Sequence, residues 1–197
     1  MPTRSYRAHH VGLALVLALL SACGDSHGSS DTAFVVRGPL TNQSSQPVPA
    51  NARVVVAWVV TSASPDYTYI YGEGTVQAGT FRVTFTAPPP AEALNEGQIG
   101  VGIVLLTTGT GLHSGMRLED APANTVLLGA TGNYAVIYRA VDAVTRVDWA
   151  GPFPLGFSAG VGVERPGDFD AFAPTDPTGL ELLVVDDIDD IDFVNWT

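Results

Sequence analysis

Residues 80–87, with the sequence TFRVTFTA, carry the pattern from which the fold class follows. Phe81, Val83 and Phe85 occupy alternate positions, and polar residues stand between them. Successive side chains of a β-strand point to opposite faces, so the alternation predicts a strand with one face in the core and one in water. Residues 53–60, RVVVAWVV, are apolar at almost every position, which predicts a central strand covered on both faces.

The same period of two recurs along the chain in short runs of β-branched and aromatic residues, separated by Gly, Pro, Asn and Asp. We predict strands at residues 33–37, 53–61, 67–76, 80–87, 98–107, 125–128, 134–141, 157–163 and 180–185. Residues 77–79 and 130–133 are short enough to join neighbouring strands as hairpins. Because no long amphipathic helical pattern occurs, we expect an all-β fold, as a two-sheet antiparallel β-sandwich of immunoglobulin-like or transthyretin-like architecture.

The amino-terminal residues have the three parts of a secretory signal. Arg4 and Arg7 are basic, residues 11–20 are apolar, and small residues precede Cys23. An apolar run of this length spans about 15 Å as a helix, roughly half of the hydrocarbon core of a bilayer, so it is too short for a permanent transmembrane anchor. We therefore expect residues 1–22 to be a signal peptide that is removed.

Leu20, Ser21, Ala22 and Cys23 together resemble the lipobox of bacterial lipoproteins. The resemblance implies cleavage before Cys23 and acylation of its thiol and its new amino group, and several acyl chains hold a protein stably on a bilayer. Gly24, in place of an aspartate, implies the outer membrane of the bacterial cell envelope. An ordinary signal peptide with an incidental cysteine is the alternative. The segment at residues 87–94 resembles uncharacterised β-rich lipoproteins, and this likeness implies no activity.

Chain length and cysteine content predict the organisation of the mature protein. The chain has 197 residues and a single cysteine, so it cannot form an internal disulfide and must be held by its apolar core. Residues 23–32 are small and polar, which predicts a lipidated flexible tether. We expect one domain at residues 33–185, followed by an acidic tail at residues 186–197.

The charge of the chain excludes several functions. The formal net charge is −11, and seven arginines and no lysine follow Cys23, against 20 acidic side chains. Nucleic acid is therefore not an expected partner, because phosphate binding needs clustered basic side chains. The absence of lysine from the mature sequence also excludes Schiff-base chemistry and a phosphate-loop lysine.

The sequence contains fragments of catalytic motifs without their context. Gly156, Ser158 and Gly160 match the Gly-x-Ser-x-Gly elbow of α/β-hydrolases, but a strand pattern follows and no histidine occurs after Ser158. His113 is expected to be an exposed loop residue rather than a catalytic base. The single cysteine is the predicted lipidation site, which argues against structural zinc. We predict no enzymatic activity, no catalytic residues and no cofactor.

Acidic residues near the end of the chain are the most concentrated polar signal. They are Asp186, Asp187, Asp189, Asp190 and Asp192. Carboxylate oxygens suit calcium, so these residues are the candidate calcium ligands, although the spacing of the helix-loop-helix calcium motif is absent. A solvated surface cluster is the favoured interpretation, and no metal site is predicted.

Tyr67, Tyr69 and Tyr71 should lie on one side of a single strand. Such a row could form a stacking platform for a glycan or a patch for a protein partner, whereas packing against the core is the favoured alternative. We therefore expect a lipid-anchored, extracytoplasmic envelope protein with a non-enzymatic binding or structural role and the membrane as its first partner. The alternative is a hydrolase of envelope or extracellular polysaccharide that uses paired carboxylates.

Overall fold

The computed structural model describes residues 33–141, 153–163 and 171–193 of the chain. Cys23, the lipobox, the predicted signal peptide and the predicted tether lie outside the described residues. Within the described ranges no helix has the length and apolar character needed to cross a membrane.

The described residues form an all-β fold, as predicted. Its strands are β1 Phe34–Asn42, β2 Ala52–Val60, β3 Tyr67–Gln77, β4 Thr80–Phe85, β5 Ile99–Thr108, β6 Met116–Arg117, β7 Val126–Ala130, β8 Tyr134–Arg139, β9 Gly156–Val163, β10 Ala171–Thr175 and β11 Leu182–Val184. Short 3₁₀ helices occupy Ala91–Ala93, Leu118–Asp120 and Ile188–Asp190. Each predicted strand overlaps an observed one, and β6 and β10 are the described strands that the sequence pattern did not indicate.

The strands close into a barrel instead of forming two separate sheets. The ring runs β5–β2–β3–β4–β1–β11–β7 and returns to β5, and β8, β9 and β10 extend from it. Closure depends on β5, which pairs with β2 along one side and with both β7 and β8 on the other. The expectation of a two-sheet, wholly antiparallel sandwich is thus wrong in arrangement, because β5 bonds to the far end of the ring and because β1 and β11 are parallel.

The two predicted hairpins have different outcomes. Ala78 and Gly79 join β3 to β4 as a tight turn with φ values of 50° and 73°, as the twist of an antiparallel pair favours. The hairpin at residues 130–133 is wrong, because β7 and β8 do not pair with each other. Both run along β5. Between them, the N–H of buried Thr131 donates to the carbonyl oxygen of Val104 at 3.0 Å, and its hydroxyl oxygen accepts from the Val104 N–H at 3.1 Å, so the side chain bridges the two ladders.

The interior of the ring is filled by side chains. Trp58 is fully buried and packs with apolar residues from most strands of the ring, including Val104, Phe81 and Leu182. The opposite face of β2 is also covered, since Val55 and Ala57 belong to a second buried cluster. The prediction that residues 53–60 form a central strand buried on both faces is therefore confirmed.

A bulge in β3 sets which of its side chains face the core. Val55 pairs with Glu73 and Ala57 with Ile70, so Tyr71 and Gly72 together oppose a single residue of β2. Gly72 has φ +107°, and a Cβ there would lie 2.6 Å from the Phe85 ring, so glycine suits this position. Because of the bulge, the side chains of β3 that face the interior of the ring have odd residue numbers before the bulge and even residue numbers after it.

Candidate functional site

Ser158 and His113 are placed on separate elements. Ser158 lies within regular strand β9, opposite Ile137 of β8, and not in a strand-to-helix turn. His113 is exposed in the loop before β6, where its Nδ1 lies 3.1 Å from the carbonyl oxygen of Ser114. The described geometry therefore gives Ser158 a place in a strand of small residues, as the sequence indicated.

The three tyrosines of β3 share a face, and each has a local structural contact. The Tyr67 hydroxyl donates to the carbonyl oxygen of Glu92 at 2.8 Å, and its ring lies 4.1 Å from the guanidinium carbon of Arg117. Tyr69 is half-buried against the inner core, and Tyr71 packs near Phe85. A ligand that stacked on these rings would have to displace existing contacts.

Tyr71 belongs to a half-buried aromatic cluster at the junction of the ring with β8 and β9. Phe157 of β9 is its centre and contacts Phe34, Phe85 and Tyr138, with ring centroids 4.7–5.2 Å apart. Burial raises the pKa of the Tyr71 hydroxyl, and the nearby Tyr138 raises it further. Burial also raises the pKa of Tyr138. Both hydroxyls therefore stay neutral to higher pH than a free tyrosine.

The acidic residues proposed as calcium ligands make hydrogen bonds within the chain. Asp186 accepts hydrogen bonds from the backbone N–H and the hydroxyl of Ser45 at 3.0 Å, and Asp187 accepts one from the N–H of Asp189 at 3.1 Å. Asp189, Asp190 and Asp192 are exposed. In the part of the chain that the structure describes, no group of three or more His, Cys, Asp or Glu side chains is arranged to hold a metal ion.

Two arginines lie side by side on the outer face of the ring. Arg37 of β1 is directly opposite Arg82 of β4, and Arg82 is in turn opposite Thr75 of β3. Together with Gln77 and Thr178 they line a cleft of about 420 Å³. Thr80 and neighbouring residues of β1 and β4 complete the cleft, which we name the arginine cleft.

The arginines of the cleft differ from the other arginines that the structure describes. Arg53 forms a salt bridge with Glu73 at 2.9 Å, Arg117 lies over the Tyr67 ring, and Arg139 donates to the carbonyl oxygen of Phe153. Within the described ranges, the guanidinium groups of Arg37 and Arg82 make neither a hydrogen bond nor a salt bridge. Both side chains are exposed.

The Asp176 carboxylate is close enough to Arg37 to sense its charge. Asp176 accepts hydrogen bonds from the backbone N–H and the hydroxyl of Thr178, both at 2.8 Å. These bonds hold the pKa of Asp176 below its ordinary value, and the charge of Arg37 lowers it further. Sequence analysis missed the arginine cleft, because its residues are far apart in the chain and become neighbours only through the strand register.

A second cleft on the surface is lined mainly by polar residues. It has a volume of about 540 Å³ and lies between the segment that follows β5 and the loop that precedes β7. Its lining includes His113, Asn51, Asn124 and Thr125. The Thr125 hydroxyl is buried and has no hydrogen-bond partner among the described residues.

No family model, curated protein or solved structure matches this chain.

Proposed function

We propose that this chain is a lipid-anchored protein of the bacterial cell envelope that acts by binding and not by catalysis. Its lipid would be carried by Cys23, and Gly24 favours the outer membrane as the site of anchoring. The observation that carries the proposal is the coincidence of three features: a short apolar leader, the sequence Leu20-Ser21-Ala22-Cys23, and the absence of any other cysteine.

The segment that follows Cys23 suits a membrane tether. Residues 24–32 are small and polar, and the first described strand begins at Phe34. A linker of this composition would let a folded domain stand off the bilayer and turn toward a partner. The tether and the early start of the domain are both consistent with anchoring through the amino terminus.

The packing of the barrel supports recognition at the outer surface. Trp58, Val104 and Leu106 are fully buried inside the ring, where a ligand-enclosing barrel would keep open space. Ligand contact is therefore expected on exposed strand faces and in the clefts between loops. A protein or glycan partner, or a small ligand, would bind on this outer surface without entering the core.

Lipidation is tested by expressing the full chain in a bacterial host with an alkyne analogue of palmitate, followed by fluorophore coupling and intact-mass measurement. We expect label and acyl mass on wild type and neither on the C23S variant. The matched control is S21A, which leaves the cysteine and the small residues of the tetrad in place and should still be labelled. Fractionation should place wild type in the outer-membrane fraction.

An unmodified thiol at Cys23 in wild type would refute the anchoring and with it the membrane assignment. Non-catalytic binding has a separate test, in which the purified protein is incubated with envelope polysaccharides and the reducing ends are counted. Release of new reducing ends by wild type would overturn the binding proposal in favour of a hydrolase.

A further inference from the structure

The geometry points to the arginine cleft as a binding site for an oxyanion, namely a carboxylate or phosphate group carried by a small ligand. The inference deepens the proposed function, since it names a ligand class for the binding surface. It begins from Arg37 and Arg82, which face each other across β1 and β4 with both guanidinium groups on the solvent side of the barrel.

Two like charges at directly opposed positions of an antiparallel pair repel each other and destabilise the pairing. Nothing in the local sheet requires them, because Val35 and Pro39 flank Arg37 on the same face of β1 without charge, and Thr84 and Thr80 flank Arg82 on β4. The arrangement therefore costs the free protein stability. An anion between the two side chains would turn this repulsion into attraction on both sides.

The charge balance of the chain makes it informative that Arg37 and Arg82 form no salt bridge with any described residue. Acidic side chains outnumber basic ones by 20 to 9, so carboxylates are available in excess as partners for arginine. Arg53 has such a partner in Glu73. The Asp176 carboxylate senses the charge of Arg37 but already accepts two hydrogen bonds from Thr178.

Polar groups around the arginines suit an oxyanion and its carrier. Thr75, Gln77 and Thr178 line the cleft beside the two guanidinium groups, and all three are polar and uncharged. Guanidinium groups donate paired hydrogen bonds that match carboxylate and phosphate oxygens, while hydroxyl and amide groups can bond to the hydroxyls of a sugar. The volume of about 420 Å³ lies within the range of small-molecule sites.

The size and charge of the arginine cleft favour a small acidic ligand over a long polyanion. Two arginines form a local spot of positive charge, and the net charge of −11 would repel an extended polyanion over the rest of the surface. A hexuronate or a sugar phosphate combines one oxyanion with several hydroxyls and fits both the charge and the polar lining. We use galacturonate and inorganic phosphate as the probes.

The test uses the full chain as produced in a bacterial host and purified in a nonionic detergent. Binding of galacturonate and of phosphate is measured by isothermal titration calorimetry and by the shift in Tm, with sodium chloride added to hold ionic strength constant. Neutral galactose is the control ligand. We expect at least one of the two anions to bind and raise the Tm by several degrees, and galactose to bind far more weakly.

The variants are R82Q and R37Q, and R117Q is the matched control, since Arg117 is exposed on a different part of the barrel. R82Q and R37Q should each weaken anion binding by about tenfold or more, and R117Q should leave the Kd unchanged. Without ligand, R82Q should melt at the same temperature as wild type or higher, because the substitution removes the repulsion. Weaker anion binding together with an unchanged or higher Tm in R82Q would show that Arg82 binds the ligand and does not stabilise the fold.

Failure of both anions to bind or to raise the Tm would overturn the inference, as would equal binding by wild type, R37Q and R82Q. Equal loss in R117Q would also overturn it, because the effect would then be one of net charge. None of these measurements depends on the lipid. A failure here leaves the anchoring proposal intact, and an unmodified Cys23 leaves the anion site intact.

Discussion

Trp58 donates its indole N–H to the carbonyl oxygen of Tyr71, with a nitrogen–oxygen distance of 2.7 Å. This carbonyl lies in the bulge of β3, where the hydrogen-bond ladder is irregular. The Trp58 indole therefore supplies the donor that the ladder does not provide there. The indole fits because Gly100 and Gly102 of β5 lie beneath it. A Cβ on Gly100 would come within 2.7 Å of the Trp58 ring.

Replacing Trp58 should therefore be costly and should couple to Gly100. W58F leaves the Tyr71 carbonyl without its donor and opens a void, so we expect the free energy of unfolding to fall by about 2 kcal/mol or more. G100A should destabilise wild type through its clash with the indole and should cost less in W58F, where that part of the ring is missing. Urea unfolding of the four proteins of this double-mutant cycle gives the coupling, and additive effects would contradict the packing described.

A buried asparagine closes the loop between β4 and β5 onto the end of β2. The Asn95 side chain accepts hydrogen bonds from the backbone N–H groups of Thr61 and Ser62 at 2.8 and 3.1 Å, and it donates to the carbonyl oxygen of Val59 at 3.1 Å. Only 4% of Asn95 is exposed. One side chain thus supplies the partners that three backbone groups lose where β2 ends.

N95A should destabilise the protein by about 3 kcal/mol, because it leaves those backbone groups unpaired in a largely dry environment. The control is N133A, which replaces an exposed asparagine whose side chain makes no hydrogen bond within the described ranges. Guanidinium unfolding monitored by tryptophan fluorescence measures both variants. A loss in N95A no larger than that in N133A would show that the network contributes little.

The sequence predicted local structure well and long-range structure poorly, for a physical reason. The alternation at residues 80–87 and the double-sided apolar run at residues 53–60 reflect burial, which each strand displays in its own sequence. The choice of the strands that pair with β5 is not visible in any local sequence pattern. Whether Thr131 begins a hairpin or continues the ladder along β5 depends on contacts with Val104, 27 residues away.

The same limit applies to the candidate site. Arg37 and Arg82 each read as the polar position of a half-buried strand, and their opposition follows only from the register between β1 and β4. The tyrosine row is different, because Tyr67, Tyr69 and Tyr71 fall within one strand. Its placement on a single face could therefore be predicted, although its contacts could not.

Protonation of Asp176 should depend mainly on Thr178. Hydrogen bonds from the Thr178 N–H and hydroxyl favour the carboxylate, and Arg37 adds a smaller effect, so the folded pKa lies below the ordinary value of 3.8. A lowered pKa means that the associated stability is present above 3.8 and is lost as the pH falls through the folded pKa. In T178V the hydroxyl is lost and the pKa of Asp176 should rise, which carboxyl-carbon NMR can follow.

The T178V result has a matched control in T175V, which changes a threonine of β10 outside this turn. R37Q should raise the pKa of Asp176 by less than T178V does, because the hydrogen bond from the Thr178 hydroxyl favours the carboxylate more than the charge of Arg37 does. An R37Q effect larger than the T178V effect would mean that Asp176 is the true ion-pair partner of Arg37. That result would also weaken the case for an anion site at Arg37 and Arg82.

Tyr71 and Tyr138 should influence each other's ionisation. Burial is the larger cause of the raised pKa of Tyr71, and the approach of Tyr138 is the second. Because the folded pKa lies above the ordinary value of 10.0, stability is fully present below pH 10 and falls as the pH rises toward the folded pKa. Y138F should lower the pKa of Tyr71 in a ring-carbon NMR titration. An unchanged pKa would show that the Tyr138 hydroxyl does not affect the ionisation of Tyr71.

The acidic segment at residues 186–193 contains a buried apolar contact. Ile191 is only 4% exposed and packs in the second buried cluster with Val55 and Ala57, beside residues of the 3₁₀ helix Ile188–Asp190. A pattern dominated by aspartates predicts solvated surface, and a single isoleucine among them gives no periodicity to oppose it. The structure nevertheless places this residue against the covered face of β2.

I191A should lower the free energy of unfolding by roughly 2–5 kcal/mol, because it removes buried methyl and methylene groups from a packed cluster. The matched control is F193A. Phe193 lies two residues along the chain and is 41% exposed, so its side chain should contribute little. If residues 186–193 were instead a solvated tail, both variants would unfold at the same urea concentration as wild type. A large loss in I191A alone would show that the barrel needs this segment to cover β2.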